Sequence, residues 1–250
     1  MSEDIGDAAT EAPFLGGRLL LRQPATGHRA GTDAILLAAA APAEAKGLAL
    51  DVGAGVGAAG LALAKLRPQI TLGLIDNDPF AAALARANLD RNGLSGRVHE
   101  ADVFDPAALR GIGPAPLVIT NPPFLDPARA RLAPHPGKRA ARTMPRAGSG
   151  PLAAWISACM ALLEQGGTFV LIHKPEALAE ILSQVSRQAG ALTLLAVQPR
   201  ADKPAIRILI RAQKGSRAPL NVAPALVLNG EHGFLPQAEA IHRGEALIAW

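Results

Sequence analysis

Apolar positions fall in short blocks punctuated by Gly, Pro, Asn and Asp, and two kinds of block alternate along the chain. Residues 18–22 (RLLLR), 48–52 (LALDV), 70–75 (ITLGLI), 97–101 (RVHEA), 117–120 (LVIT), 168–173 (TFVLIH), 191–197 (ALTLLAV) and 206–212 (IRILIRA) are continuous or alternating apolar runs of strand length. Between them lie longer runs of helix formers over 34–41, 58–66, 79–91, 151–164 and 175–189. Thr32-Asp33 reads as an N-cap signal for the first and Pro42 stops it; Pro68 follows the second, Gly93 ends the third and Gly166-Gly167 closes the fourth. Strands separated by helices predict an α/β domain with a mostly parallel, doubly wound, Rossmann-like sheet. The last two strands have no helix between them, so the sheet is expected to close with an antiparallel hairpin.

The pattern also divides the chain. Residues 1–17 are expected to be a mobile acidic leader and 18–217 a single domain, with 218–250 a C-terminal extension. Residues 121–150 are rich in Pro, Gly, Arg and Ala without apolar periodicity. That is too long for an ordinary connection and reads as a functional lid loop.

With 250 residues, 49% hydrophobic and 18% charged, there is material for a full core, which excludes intrinsic disorder for the bulk of the chain. The single cysteine, Cys159, cannot form an internal disulfide, and the histidines show neither HxxxH spacing nor a nearby cysteine pair, so no metal site is expected. An acidic N-terminus and the lack of a long apolar run give no sign of a signal peptide or membrane span, and a cytoplasmic protein is expected. The first twelve residues hold four acids and no base, so the rest of the chain carries eight net positive charges, the formal +4 plus the four acids set aside. That excess fits a polyanionic partner.

Gly53, Gly55 and Gly57 follow Asp51 where a strand gives way to a helix, and their missing side chains allow a nucleotide-like ligand to come close to the backbone. The same residues satisfy a GxGxxA dinucleotide fingerprint, with Asp76 standing 21 residues beyond Gly55, so the turn by itself leaves a nicotinamide oxidoreductase open. Asp51, Asp76 and Asp102 each end an expected strand, on the edge where open α/β sheets bind ligands. Three carboxylates there need donors, and S-adenosylmethionine offers a ribose diol, an amino group and an adenine amine.

The run 117–120, fourth counting from the strand before the glycine turn, leads into Asn121-Pro122-Pro123-Phe124 on the same edge. Two prolines stiffen the segment and remove amide donors. The Asn121 side-chain oxygen and the Pro122 carbonyl can then both accept from one planar NH2 group, while Phe124 offers a face for a flat substrate. Such an amine is oriented for in-line methyl transfer.

At these residues the chain resembles the class I amino-group methyltransferases, whose motif is [ND]PP[YFW] after DxGxG and an acid ending the next strand. Among them it is similar to the bacterial valine-tRNA adenine methyltransferase family, on RAGTDAILLAA (29–39), LDVGAGVG (50–57), IDND (75–78), EADVFD (100–105), NPPF (121–124) and KRAARTM (138–144). The resemblance implies S-adenosylmethionine as cofactor and an adenine of RNA, in particular tRNA, as acceptor. It implies that Gly53 and Gly55 border the methionine moiety and that Asp51 is among the cofactor-binding residues. By the same likeness Asp76 and Asn77 meet the ribose, Asp102 and Val103 the adenine, and Thr32 with Asp33 helps close the site. Asn121 through Phe124 would hold the target base.

Ribosomal guanine-N2 methyltransferases share NPPF and are the main rival. Protein-glutamine methyltransferases also carry NPP plus an aromatic, but they resemble chains with a helical domain before the glycine motif, for which about 47 residues leave no room. A non-catalytic RNA-binding module on the same fold would bind tRNA without turnover. Arg129, Arg131, Lys138, Arg139, Arg142 and Arg146 face one acid, Asp126, between residues 125 and 146, and are expected to contact RNA phosphates. A second basic cluster, Arg200, Lys203, Arg207, Arg211, Lys214 and Arg217, extends this field only as far as two-residue alternation leaves it on one face.

Overall fold

In the computed structural model, residues 9–26, 29–123 and 150–250 are described. Strands β3 (Gly47–Val52), β4 (Ile70–Asp76), β5 (Gly96–Glu100), β6 (Ala115–Thr120) and β7 (Leu163–His173) run parallel to one another in the order β5-β4-β3-β6-β7. Beyond β7 come β9 (Arg207–Lys214) and then β8 (Ala189–Gln198), with β9 antiparallel to both, so the expected closing hairpin is present. Chain order reverses across the β3–β6 pair, the position at which open α/β sheets form their ligand crevice.

The strands are nearly continuous apolar runs because both faces are covered. One face packs under α1 (Thr32–Ala40), α2 (Ala58–Leu66) and α3 (Pro79–Arg91), with Leu36, Leu37, Leu61, Leu63, Leu72 and Leu74 fully buried in a single cluster. The other lies under α4 (Pro151–Leu162) and α5 (Leu178–Val185), around Phe169, Ile156 and Ile210. Asp78 caps α3, its Oδ1 accepting from the Phe80 amide at 2.9 Å. At α1 the expected cap is displaced. Gly31 holds the N-cap position, with Thr32 and Asp33 inside the first turn, because their side chains have other partners. Asp33 pairs with Arg207 at 2.8 Å, and the Thr32 hydroxyl lies 3.1 Å from His242 Nε2.

Three further boundaries differ from the sequence pattern. The expected leader of residues 1–17 includes a strand, β1 (Ala9–Phe14), paired antiparallel with β2 (Leu19–Pro24). Its alternation is hidden by Pro13 and by small residues, and it is held by pairing more than by burial. Helix α4 stops at Leu162, not 164, since β7 starts at Leu163 and absorbs Gly166-Gly167 in an irregular register against β6. The helix expected over 175–189 is a 3-10 turn (Pro175–Ala177) followed by the eight residues of α5.

Residues 218–250 pack back on the domain. Two short strands, β10 (Asn221–Val222) and β11 (Leu226–Val227), lie parallel to β8. A small hairpin of β12 (Asn229–Gly230) and β13 (Gly233–Phe234) then leads into α6 (Pro236–His242), which lies against α1. The tail finishes the C-terminus of α1: Ile248 N–H donates to Ala39 O at 3.1 Å and the Trp250 indole to Ala40 O at 2.9 Å.

Candidate active site

Four neighbouring strands bring their carboxyl ends together. Across β5-β4-β3-β6 these ends present Asp102, Asp76, the glycine turn and Asn121, in that order. At a strand spacing of ~4.8 Å the row is about 14 Å long, the reach of an extended nucleoside ligand.

The turn after β3 is built by its own hydrogen bonds. Gly53 and Ala54 amides donate to Ile75 O at 2.9 and 3.0 Å, the Gly57 amide to Ala54 O at 2.8 Å, and the Gly55 amide to Asp76 Oδ2 at 2.7 Å. The glycine amides that the sequence offered to a ligand are thus satisfied within the protein, and the glycines serve by their backbone shape and by space. All three have positive φ: +74° at Gly53, +55° at Gly55 and +85° at Gly57. A Cβ on Gly53 would come within 2.7 Å of the Trp155 ring, whereas one on Gly55 would meet nothing within 4 Å. Gly55 therefore borders open space at the rim of the turn.

Asp76 is half-buried, and its two oxygens accept from the Gly55 and Asp78 amides, at 2.7 and 2.9 Å. Each carboxylate oxygen keeps further acceptor capacity, which suits a diol. Asn77 beside it is exposed. Asp102 is half-buried with Oδ1 accepting from the Phe104 amide at 2.9 Å, and Val103 next to it is buried in the core. Asp51 lies beneath the turn, 2% exposed, with Oδ2 accepting from the Gly60 amide at 2.8 Å. Burial pushes its carboxyl up to about 7; the Gly60 hydrogen bond opposes this and the charge of Asp76 adds to it.

Asn121 follows β6 directly. Its Oδ1 is a buried side-chain oxygen with no hydrogen-bond partner among the described residues. Buried acceptors are normally satisfied, so one left open on a ligand edge fits a donor that comes with substrate. Pro122 is buried and Pro123 exposed. Phe124 lies outside the described residues, as do Arg129, Arg131, Lys138, Arg139, Arg142 and Arg146. Thr32 and Asp33 stand at the N-terminal end of α1, tied to His242 and Arg207 as above.

The sequence pattern did not reveal what supports Asn121. Trp155 of α4 donates from Nε1 to Thr120 Oγ1 at 2.9 Å, and Thr120 donates to Val52 O at 2.8 Å. This buried chain ties the residue before Asn121 to the residue before Gly53, and Phe104 packs its ring edgewise on Trp155 at 5.9 Å. A lone tryptophan in an Ala-rich helix was the available signal.

The second basic cluster splits as strand alternation requires. Arg207 is paired with Asp33, and Arg211 stacks its guanidinium 4.7 Å from the Trp250 ring centroid. On the opposite face Lys214 donates to Met160 O and Leu163 O, both at 2.6 Å. Among the described residues no helix is long and apolar enough to cross a membrane.

A row of acids flanking a glycine turn, with an open Asn-Pro-Pro acceptor beyond the switch point, defines a class I S-adenosylmethionine-dependent methyltransferase. The sequence matches the Methyltransferase small domain family over residues 29–142. A tRNA1(Val) (adenine(37)-N6)-methyltransferase of Aeromonas hydrophila is 32% identical over 199 residues, 75% of this chain and 77% of that protein. The crystal structure of a protein of Agrobacterium tumefaciens described as a predicted O-methyltransferase superposes with a TM-score of 0.71 at 31% identity, over 87% of this chain and 99% of that one. A Ribosomal RNA small subunit methyltransferase C of Vibrio parahaemolyticus is 37% identical over 78 residues, 31% of this chain and 22% of that protein. The chain carries a methyltransferase small domain over residues 29–142, belongs to the family of the tRNA1(Val) (adenine(37)-N6)-methyltransferases, and is an enzyme that uses S-adenosylmethionine. That removes the nicotinamide reading which the glycine fingerprint alone left open.

Proposed function

We propose that this enzyme methylates the exocyclic N6 amine of an adenine in tRNA, the adenosine at position 37 beside the anticodon of valine tRNA, in the cytoplasm. The observation that carries the reading is the buried, unpartnered Oδ1 of Asn121 at the end of β6, next to the glycine turn. The name of the Aeromonas relative supports the same acceptor.

When bound, S-adenosylmethionine supplies an electrophilic methyl group on its sulfonium. The chain's own residues prepare the nucleophile. Asn121 Oδ1 and the Pro122 carbonyl accept the two amine hydrogens, which withdraws the nitrogen lone pair from conjugation with the base and points it along one direction. Phe124, which lies outside the described residues, would by the family resemblance offer its ring to the base. Transfer of that methyl group to the amine would leave the nitrogen with a positive charge and the cofactor without its own. The two oxygens stabilise that charge until the surplus proton passes to water. The fit of the cofactor is consistent with the residues present: Gly55 leaves room, Asp76 keeps acceptor capacity for a ribose diol, and Asp102 stands farther along the same edge.

The test is to incubate the protein with tritiated S-adenosylmethionine and fractionated cellular RNA, then analyse the labelled nucleosides. The expected product is N6-methyladenosine recovered in valine tRNA. N2-methylguanosine in ribosomal RNA, or label in protein, overturns the reading. Binding of tRNA without any label would return the chain to a non-catalytic RNA-binding role.

A further inference from the structure

The glycine turn is held by side chains that belong to neither β3 nor α2: Asp76 of β4 at the Gly55 amide, and a second from α3 at a carbonyl. Asn88, fully buried in the last turn of α3, donates from Nδ2 to Val56 O at 2.9 Å, between Gly55 and Gly57. The same amide group donates to Arg22 O at 3.0 Å, and its Oδ1 accepts from the Arg22 amide at 2.8 Å. One helical turn later Asn92 repeats the second half of this pattern on β2: the Leu20 amide donates to its Oδ1 at 2.9 Å, and its Nδ2 donates to Leu20 O at 2.8 Å. Residues four apart on a helix rise ~6 Å, close to the ~6.8 Å between alternate residues of a strand. The two asparagines thereby present donor and acceptor pairs in the register of a missing strand. On its other edge β2 pairs with β1.

The two clamps differ in their remaining donor: Asn88 holds the cofactor turn at Val56 O, whereas Asn92 donates to the Asn88 carbonyl at 2.8 Å, within α3 and its cap. We infer that Asn88 is a positioning residue for the S-adenosylmethionine turn, and that through it the β1–β2 hairpin supports a site it does not line. Val56 O sits in a segment whose neighbours on both sides are positive-φ glycines, the backbone with the most freedom to rearrange. Other side chains fix the turn and its helix through amides, Asp76 at Gly55 and Asp51 at Gly60. A carbonyl anchor at Val56 fixes the peptide between them. The inference rests on the cofactor and is independent of which base is methylated.

Two matched substitutions separate positioning from folding. Asn88→Asp and Asn92→Asp each keep the acceptor for β2 and lose the donors, and both should lower the melting temperature. Only Asn88→Asp should weaken S-adenosylhomocysteine binding, by about tenfold. It should raise the KM for S-adenosylmethionine while leaving kcat at saturating cofactor within about twofold of wild type. Equal affinities in two folded variants, or equal losses in both, would overturn the assignment. Should Asn88→Asp not fold, hydrogen exchange on the wild-type protein decides the matter. Adding S-adenosylhomocysteine should slow exchange of the Arg22 amide, bonded to Asn88, several-fold more than that of the Leu20 amide, bonded to Asn92. An identical response at the two amides would show that the hairpin is a passive cover.

Discussion

Asn121 and Asp51 are both carbonyl-bearing side chains near the same sheet edge, yet burial acts on them in opposite ways. Asn121 carries no charge, so an unfilled acceptor there costs only its lost hydrogen bond and becomes useful when a donor arrives. Asn121→Ala should lower kcat by on the order of a hundredfold or more, with S-adenosylhomocysteine affinity within about twofold of wild type, as read by calorimetry and single-turnover rates. Asn121→Asp keeps an acceptor and should retain part of the rate; a wild-type rate in the alanine variant would place the acceptor amine elsewhere. Asp51 is ionisable, and its cost depends on pH. Its folded-state value of about 7 lies above the ordinary 3.8, so between those values the folded protein binds a proton that the unfolded chain has released. Stability from this group therefore falls as pH rises through that window and levels off above about 7, the reverse of a salt-bridged aspartate. The full effect is bounded at roughly 4 kcal/mol. Asp51→Asn keeps an acceptor for the Gly60 amide and removes the titration. In urea unfolding the variant should gain stability relative to wild type between pH 5 and pH 8, and a difference that stays flat with pH would mean that Asp51 is already ionised in the folded protein.

Elements were legible in the sequence where their own residues decide them, and illegible where a distant partner does. The parallel strands β3, β4, β6 and β7 are apolar runs because helices cover both faces, so composition alone exposes them. Asp76, Asp102 and Asn121 could be placed on one edge because each ends such a run. Strand β1 carries no comparable signal, since half its side chains are exposed and it is held by β2, itself clamped by asparagines 66 and 72 positions away. The first turn of α1 misled for a related reason: Thr32 and Asp33 have capping chemistry, but His242 and Arg207 claim them from the C-terminal third of the chain. Trp155, Thr120 and Asn88 were missed because a buried polar chain leaves no periodicity. Lys214 shows the same principle as a measurable effect. Its ammonium sits on the last carbonyls of α4, where a cation completes both hydrogen bonding and the helix dipole. Lys214→Met should cost about 1–2 kcal/mol, a fall of roughly 2–8 °C in melting temperature, and should leave the salt dependence of tRNA binding unchanged. A shallower salt dependence in that variant would mean that Lys214 reaches phosphate after all.

For the molecule as a whole, the internal use of Arg207, Arg211 and Lys214 changes where charge for a polyanion can come from. Asp33 offsets the charge of Arg207, while Arg211 stacks on the Trp250 ring and Lys214 donates to two carbonyls, so these side chains are committed to partners within the fold. The concentrated excess lies in residues 125–146, with six cations against Asp126, directly after the Asn-Pro-Pro acceptor. Arginine dominates that segment, and its planar fork matches phosphate oxygens in pairs. If these residues meet the tRNA backbone, replacing Lys138, Arg139 and Arg142 with alanine removes up to three phosphate contacts. Each contact releases counterions when formed, so the slope of log affinity against log salt should flatten by about 2–3 units, at roughly 0.7–0.9 per contact. The loss of affinity should be largest in low salt and shrink as salt rises, because screening weakens the wild-type contacts too. S-adenosylhomocysteine affinity should not move, since the row from Asn121 to Asp102 that is offered to the cofactor includes none of the three replaced residues. Filter binding of valine tRNA across a salt series, with calorimetry of the cofactor as control, gives both numbers. A triple variant that binds tRNA like wild type at every salt concentration would mean that these cations are solvated surface and that the enzyme holds its RNA by other residues.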